Sequence, residues 1–392
     1  MQPSTQIGYC TNVHAGPTLA QTQANLRRYA LEVKRQVSPS NPMGIGLWLA
    51  APAVEELLAN EQQLTDFSGW LQTAGLVPFT FNGFPYGDFH GEVVKHRVYE
   101  PTWWNERRFN YTRQLIQAQH RLLPVGMSGT ISTLPIAWSE PSPTNEQLFV
   151  AAGYLSGIAQ ELQRLHQETG RMISICLEPE PGCYLQRGDD ILRFFQDWLL
   201  LPQGGTAPAE AAIRQHIRVC HDICHSAVMF EPQAEVLRKY AAAGIQVGKV
   251  QVSAAVSVRF DELSPSDRLA AFEQLAGFSE PRYLHQTCVR IEQDAPRFYV
   301  DLGLALASQH NQAVPSGEWR THFHVPIYLE KFDRLLATQD DIRTCLATLR
   351  ETSSCEHFEV ETYAWSVLPR ELQVAELADG IAREMRWFYE NS

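Results

Sequence analysis

Arg218-Val-Cys-His-Asp-Ile-Cys-His225 is an apolar run that closes on an aspartate and, three residues later, on a histidine. Three other strand-like segments close in the same manner: Ile173-Ser-Ile-Cys-Leu-Glu178, Val247-Gly-Lys-Val-Gln251 and Phe358-Glu-Val-Glu361 end on Glu178, Gln251 and Glu361. An ionised acid at the end of an apolar strand loses its hydration, and only a metal, a cation or a hydrogen-bonding ligand offsets that loss. Four such ends in succession point to one shared polar site.

Outward from these segments, short β-branched or apolar runs alternate with longer amphipathic patterns, the arrangement of βα units on a parallel sheet. Strands are expected over 7–10, 45–50, 77–82, 127–132, 172–178, 217–222, 245–253 and 358–362. Helical patterns fill 19–36, 53–58 with 62–73, 145–168 and 231–243. Eight βα repeats favour a closed (β/α)8 TIM barrel over an open α/β sheet. The barrel is expected to span 1–392 as one domain, with an excursion over 254–357 before the last strand. Gly204-Gly-Thr-Ala-Pro-Ala209 reads as a loop within the fifth crossover. Inside the excursion, Tyr283-Leu-His-Gln-Thr-Cys-Val-Arg290 and Arg297-Phe-Tyr-Val-Asp301 read as extended segments, followed by Thr321-His-Phe-His324. A long segment at this end of a barrel reads as a lid or substrate loop, with a dimerisation arm as the alternative.

Composition narrows the class of partner. A formal charge of −12 argues against a broad phosphate-binding surface, so nucleic acid is not an expected partner. The opening Met1-Gln-Pro-Ser-Thr-Gln carries no basic segment followed by an apolar one, and no apolar run is long enough to span a bilayer; a cytoplasmic protein is expected. The eight cysteines are scattered, several within apolar strand patterns, and read as buried thiols. Cys220 and Cys224 flank Asp222, but no second cysteine pair follows at zinc-ribbon spacing.

In a barrel, side chains at the C-terminal strand ends converge on one bowl. Glu178, Asp222, Gln251 and Glu361 then offer four oxygen donors, a set suited to a divalent ion such as Mn2+, Mg2+ or Zn2+. Any one of these acids can instead pair with Arg218 or Lys249. His225 follows Asp222 closely enough to face the same bowl, either on a metal or as a donor to a substrate oxygen. His322 and His324 alternate, so an extended chain turns both to one side. His14, Asn82 and Lys249 are candidate substrate contacts, and Tyr99-Glu-Pro-Thr-Trp-Trp104 with Arg107 and Arg108 either walls a pocket or packs the third βα loop.

These motifs resemble the xylose-isomerase-like barrels, a superfamily that includes sugar isomerases and epimerases, hydroxypyruvate isomerase and endonuclease IV. His221-Asp-Ile-Cys-His225 is similar to the Asp-Thr-Cys-His motif of the nuclease, whose Asp and His bind metal. Leu177-Glu-Pro-Glu-Pro-Gly182 and Val250-Gln-Val-Ser253 resemble the Glu-Pro and Ile-Gln-Ile segments of hydroxypyruvate isomerase, and Glu361-Thr362 the Glu-Thr that ends the nuclease's last strand. The resemblance implies Glu178, Asp222, Gln251 and Glu361 as metal ligands. It also leaves open a second metal or substrate position at His225, His322 and His324. Where the trinuclear nuclease site needs further histidines, this chain has Asn82, Ser128 and Gln251. The segments Gly8-Tyr-Cys-Thr-Asn-Val-His-Ala-Gly16, Phe81-Asn-Gly-Phe-Pro-Tyr-Gly87 and Thr321-His-Phe-His-Val-Pro326 resemble metabolite-traffic proteins of the EboE type within this superfamily. That likeness implies a part in maturation or export of a small metabolite and a membrane-protein partner.

The leading expectation is a metal-dependent isomerase or epimerase of a small polyhydroxy carbonyl or cyclic metabolite. Glu178 and Glu361 would remove and return the proton on opposite sides of the carbon, with His225 donating to a substrate oxygen. A non-catalytic metabolite-binding protein is the alternative, and a metal-dependent phosphoester hydrolase the second alternative. Oligomeric state is left open.

Overall fold

The computed structural model describes residues 5–200, 207–292, 294–309 and 315–392. Its central element is a closed barrel built from β1 (Gln6–Cys10), β2 (Met43–Trp48), β3 (Leu76–Asn82), β4 (Gly129–Thr133), β5 (Ile173–Leu177), β6 (Ile217–Asp222), β7 (Val247–Val252) and a last strand, His357–Val360. Strands pair in chain order, and every pairing is parallel. The (β/α)8 expectation holds, with strand ends moved by at most two residues. Glu178 and Glu361 accordingly stand just past β5 and the last strand rather than inside them.

Period-2 alternation decides what each barrel strand presents inward. On β7, Val250 and Val252 belong to the apolar core, whereas Lys249 and Gln251 are fully buried polar residues. The ammonium of Lys249 pairs with Glu359 and donates to Ser132 Oγ at 3.2 Å. A Cβ on Gly46 of β2 would collide with the Glu359 carboxylate, so only glycine leaves room for this buried charge. Below it, the ring of Phe79 meets His357 edge-on at 5.0 Å.

The stretch between β7 and the last barrel strand is more ordered than the two extended segments expected. It forms β8 (Val256–Arg259), β9 (Thr287–Arg290), β10 (Arg297–Tyr299), β11 (Glu318–Thr321), β12 (Lys331–Phe332) and β13 (Leu335–Ala337), which makes the last barrel strand β14. These six strands assemble an antiparallel sheet in the order β10-β9-β11-β8-β13-β12. Phe260, Phe272 and Trp319 pack edge-to-face on it, anchoring the helix Pro265–Ala276. The helix Gln339–Thr352 then lies against Gln233–Ala242 and restores the βα alternation.

The expected loop at Gly204 falls on residues 204–206, outside the described residues; from Ala207 the chain is already helical, through His216. Among the described residues, no helix is long and apolar enough to cross a membrane.

Candidate metal centre

Glu178, Asp222, Gln251 and Glu361 sit at the C-terminal ends of β5, β6, β7 and β14, four consecutive strands around the barrel. Asp222 and Gln251 are register partners, and Gln251 is in turn opposite Glu359. Local chain geometry aims each group. Asp222 caps the helix Ile223–Val228: its Oδ1 accepts from His225 N and Ser253 Oγ, both at 2.8 Å, which leaves Oδ2 directed into the bowl. Asn12 Nδ2 donates to Glu361 Oε1 at 2.8 Å and Asn82 Nδ2 to the same oxygen at 3.3 Å. One ligand atom from each of Glu178, Asp222 and Glu361 falls within 4.8 Å of the others.

This cluster is buried and unanswered. Glu178 Oε2, Asp222 Oδ2 and both amide atoms of Gln251 have no hydrogen-bond partner. Burial, followed by repulsion from Glu361 and Asp222, pushes Glu178 well above the usual carboxylate range. Burial, then Asp222 and Glu359, raises Glu361 to about 8. The nearest ammonium, Lys249, is committed to Glu359. Orphaned buried polar atoms are rare in folded proteins, and three acids around an unpartnered amide are the donor set a divalent cation needs.

A second cluster adjoins the first. Nε2 of His322 lies 3.2 Å from Nε2 of His225 and 3.2 Å from Nε2 of His324. The opposite ring nitrogens fix the tautomers. His225 Nδ1 faces Pro179 O at 2.9 Å and His324 Nδ1 faces Glu361 O at 2.8 Å, and a carbonyl only accepts. His322 Nδ1 faces Gln286 Oε1 at 2.7 Å, while the Gln286 amide nitrogen donates to Glu180 Oε1 and Pro181 O. All three Nδ1 atoms therefore carry the proton, and three Nε2 lone pairs point at one another.

Burial holds His225 at about 3 and His324 at about 4, and burial with the neighbouring histidines holds His322 well below its ordinary value, so none is charged near neutrality. Converging lone pairs repel unless a cation lies between them, and imidazoles oriented through Nδ1 by carbonyls are the usual support of a metal-bound histidine. Asp222 Oδ2, 3.9 Å from both His225 Nε2 and His324 Nε2, is within reach of either cluster. The tautomer also corrects one expectation: a neutral His225 with its proton on Nδ1 offers Nε2 as an acceptor or ligand and cannot donate through it to a substrate oxygen.

Both clusters open into a cleft of about 540 Å³ including its mouth. Asn82, one of the candidate substrate contacts, is among its lining residues. Two other expected substrate contacts are not. His14 is buried away from the cleft, hydrogen-bonded through Nε2 to Tyr9 Oη at 3.0 Å and stacked on Tyr29. Lys249 is sealed inside the barrel by Glu359. The 99–104 stretch divides its roles: Tyr99 lines the cleft, while Trp103 donates to Thr133 Oγ1 and buried Arg108 is consumed by the carbonyls of Pro101, Gly83 and Phe84.

Asn12, Tyr283 and Tyr363, which had no expected role, line the cleft together with Glu180, whose part beside Glu178 was left open by the sequence. Glu180, the second acid of Leu177-Glu-Pro-Glu180, is held by Tyr99 Oη at 2.7 Å and Gln286 Nε2 at 3.0 Å. Burial raises it to about 7. Spacing alone does not separate it from Glu178, since its partners come from the third βα loop and the insertion.

No family model and no curated protein matches this chain. Among solved structures, it is similar to a xylose isomerase-like TIM barrel protein from Mycobacterium smegmatis in complex with magnesium, at 10% identity and TM-score 0.52 over 98% of this chain and 96% of that one. It is also matched by the IolI protein with a bound zinc atom, at 11% identity and TM-score 0.48 over 98% and 96%. A third match is the probable 3-DHS dehydratase AsbF of Bacillus anthracis, at 12% identity and TM-score 0.46 over 99% and 100%. Joined to the closed parallel barrel, the first of these likenesses gives the chain the fold of the xylose-isomerase-like TIM barrels.

Proposed function

We propose that the protein is a metal-dependent isomerase or epimerase of a small hydroxy-carbonyl or cyclic polyhydroxy metabolite. The observation that carries this reading is the set of orphaned atoms on Glu178, Asp222 and Gln251 beside the raised Glu361. Glu178, Asp222, Gln251 and Glu361 would hold one divalent ion, which when bound polarises a carbonyl and acidifies the neighbouring C–H. Glu178, with a free Oε2, takes the proton; Glu361, anchored through Oε1 by Asn12 and Asn82, returns it from the other side. His225 orients the head of the substrate or a second ion through Nε2. The resemblance to metabolite-traffic proteins extends the proposal to a cytoplasmic part in metabolite maturation or export, with a membrane-protein partner.

A second reading has its own observation. The three converging Nε2 atoms beside Asp222 support a second ion, and two adjacent ions favour hydrolysis of an ester or phosphoester. One experiment separates the two. Protein loaded with Mn2+ or Zn2+ is incubated in D2O with a panel of ketoses and cyclic polyol ketones, and in parallel with bis(p-nitrophenyl) phosphate. Deuterium entering the substrate, lost in Glu178→Gln, supports the isomerase. Phosphodiester cleavage without deuterium exchange overturns it in favour of the hydrolase. Absence of bound metal, together with binding of a metabolite, leaves a carrier role.

A further inference from the structure

The cleft has a polar floor and an apolar wall. Above the acids and histidines stand Phe84, Phe89 and Val98 from the loop after β3, Tyr283 and Leu284 from the insertion, and Tyr363 after β14. Phe89, Tyr283 and Tyr363 contact one another with ring centroids 5.1 to 5.3 Å apart. The Tyr283 hydroxyl is spent on Phe89 O at 3.2 Å, so the ring turns its apolar face to the cleft. Backbone N–H groups of Val94 and Lys95 donate to Arg282 O at 2.8 and 3.0 Å, joining the β3 loop to the insertion as one continuous roof.

Charge is as informative as shape. Among the described residues lining the cleft, Lys95 is the one Lys or Arg, and its ammonium is held by Asp301 Oδ2 at 2.6 Å. Phosphate recognition uses free guanidinium or ammonium groups or a cluster of backbone N–H donors. The histidines and the acids lie on the floor, and the wall residues Phe84, Phe89, Val98, Leu284, Tyr283 and Tyr363 supply none of these groups. A hydroxylated sugar chain would in turn leave its hydroxyls facing Phe89, Val98 and Leu284 without partners, at a cost.

We infer that the substrate carries an uncharged, oxygen-chelating head, seated on the floor, and an uncharged apolar substituent laid against Phe89, Val98, Leu284 and Tyr283. It is not a sugar phosphate. The inference rests on the metal reading of the floor proposed above and names the class of molecule that the same site takes.

Hydroxamates test it, because they chelate a divalent ion through two oxygens while the group attached to them is varied. Calorimetric titration of the full Mn2+-loaded chain compares acetohydroxamic, benzohydroxamic and phosphonoacetohydroxamic acids. The phenyl compound is expected to bind about 10- to 50-fold tighter than the methyl one, from burial of one ring face, and the phosphonate no tighter than the methyl compound. In Leu284→Asn and Val98→Asn, acetohydroxamate affinity stays within about twofold while the phenyl preference falls by about 5-fold or more. The methyl compound thus reports on folding and metal loading. Equal binding of the methyl and phenyl compounds, tightest binding of the phosphonate, or a phenyl preference untouched by both wall variants overturns the apolar-arm inference and spares the metal reading. Failure of every hydroxamate to bind metal-loaded protein overturns both.

Discussion

The acids at the strand ends and the histidines beside them share Asp222, yet each region is built differently. Glu178, Gln251 and Glu361 come from the barrel itself and bury polar groups, of which Glu178 Oε2 and both amide atoms of Gln251 have no hydrogen-bond partner. Of the three histidines, two come from the insertion after β11, and each is held neutral with its Nδ1 proton committed. One region is short of a cation; the other is short of a partner for three lone pairs. Oxygen donors select hard ions, whereas imidazoles favour Zn2+ and its neighbours, so the comparison predicts two positions of unequal taste that meet at one carboxylate.

Removing the shared acid breaks both sides at once. Glu178→Gln with Asp222→Asn should lower metal affinity by at least about 100-fold, more than the loss typical of supporting residues, and leave the purified protein without bound metal by mass spectrometry. His322→Ala with His324→Ala should spare the ion held by the acids; loss of all metal in this variant would mean that the two regions form a single site.

The base of the acid region gives the next effect. Lys249→Met leaves Glu359 buried without its partner and should destabilise the chain by about 3–5 kcal/mol in denaturant unfolding. The double variant Lys249→Met, Glu359→Leu should recover most of that loss. A single variant as stable as the native chain would show that the buried pair does not hold the acid side together.

Glu384 sharpens the comparison, because it is as buried as Glu178 but has donors: Thr362 Oγ1 at 2.6 Å and Ile327 N at 3.0 Å. Burial still raises it to about 7. A raised folded-state value contributes stability that is fully present below the unfolded value of about 4.5 and is lost as pH rises through about 7. Glu384→Gln keeps the acceptor oxygen, so it should match the native chain near pH 4 and exceed it by about 1–3 kcal/mol near pH 8. Equal stability at both pH values would indicate that this carboxylate titrates normally.

How far the sequence reached follows the range of the interactions. Four strand-end groups were legible because period-2 alternation and the βα rhythm act over a few residues, and a polar residue closing an apolar run shows directly in the text of the chain. His14 and Lys249 looked equivalent to Asn82 by the same local criterion. Tyr29 and Glu359, remote in sequence, drew the first two away from the cleft. Glu180 was visible beside Glu178, but its environment depends on Tyr99 and Gln286, which no spacing rule connects to it.

Sequence by itself determined the barrel, the four converging strand ends and the candidate histidines, since strand periodicity and the cost of burying an unpaired acid are properties of short segments. Tertiary structure decided the tautomer that turns three Nε2 atoms inward, the withdrawal of Lys249 into the barrel and the apolar roof shared by the β3 loop and the insertion. Each of these depends on groups separated by tens to hundreds of residues, whose proximity exists only once the barrel closes.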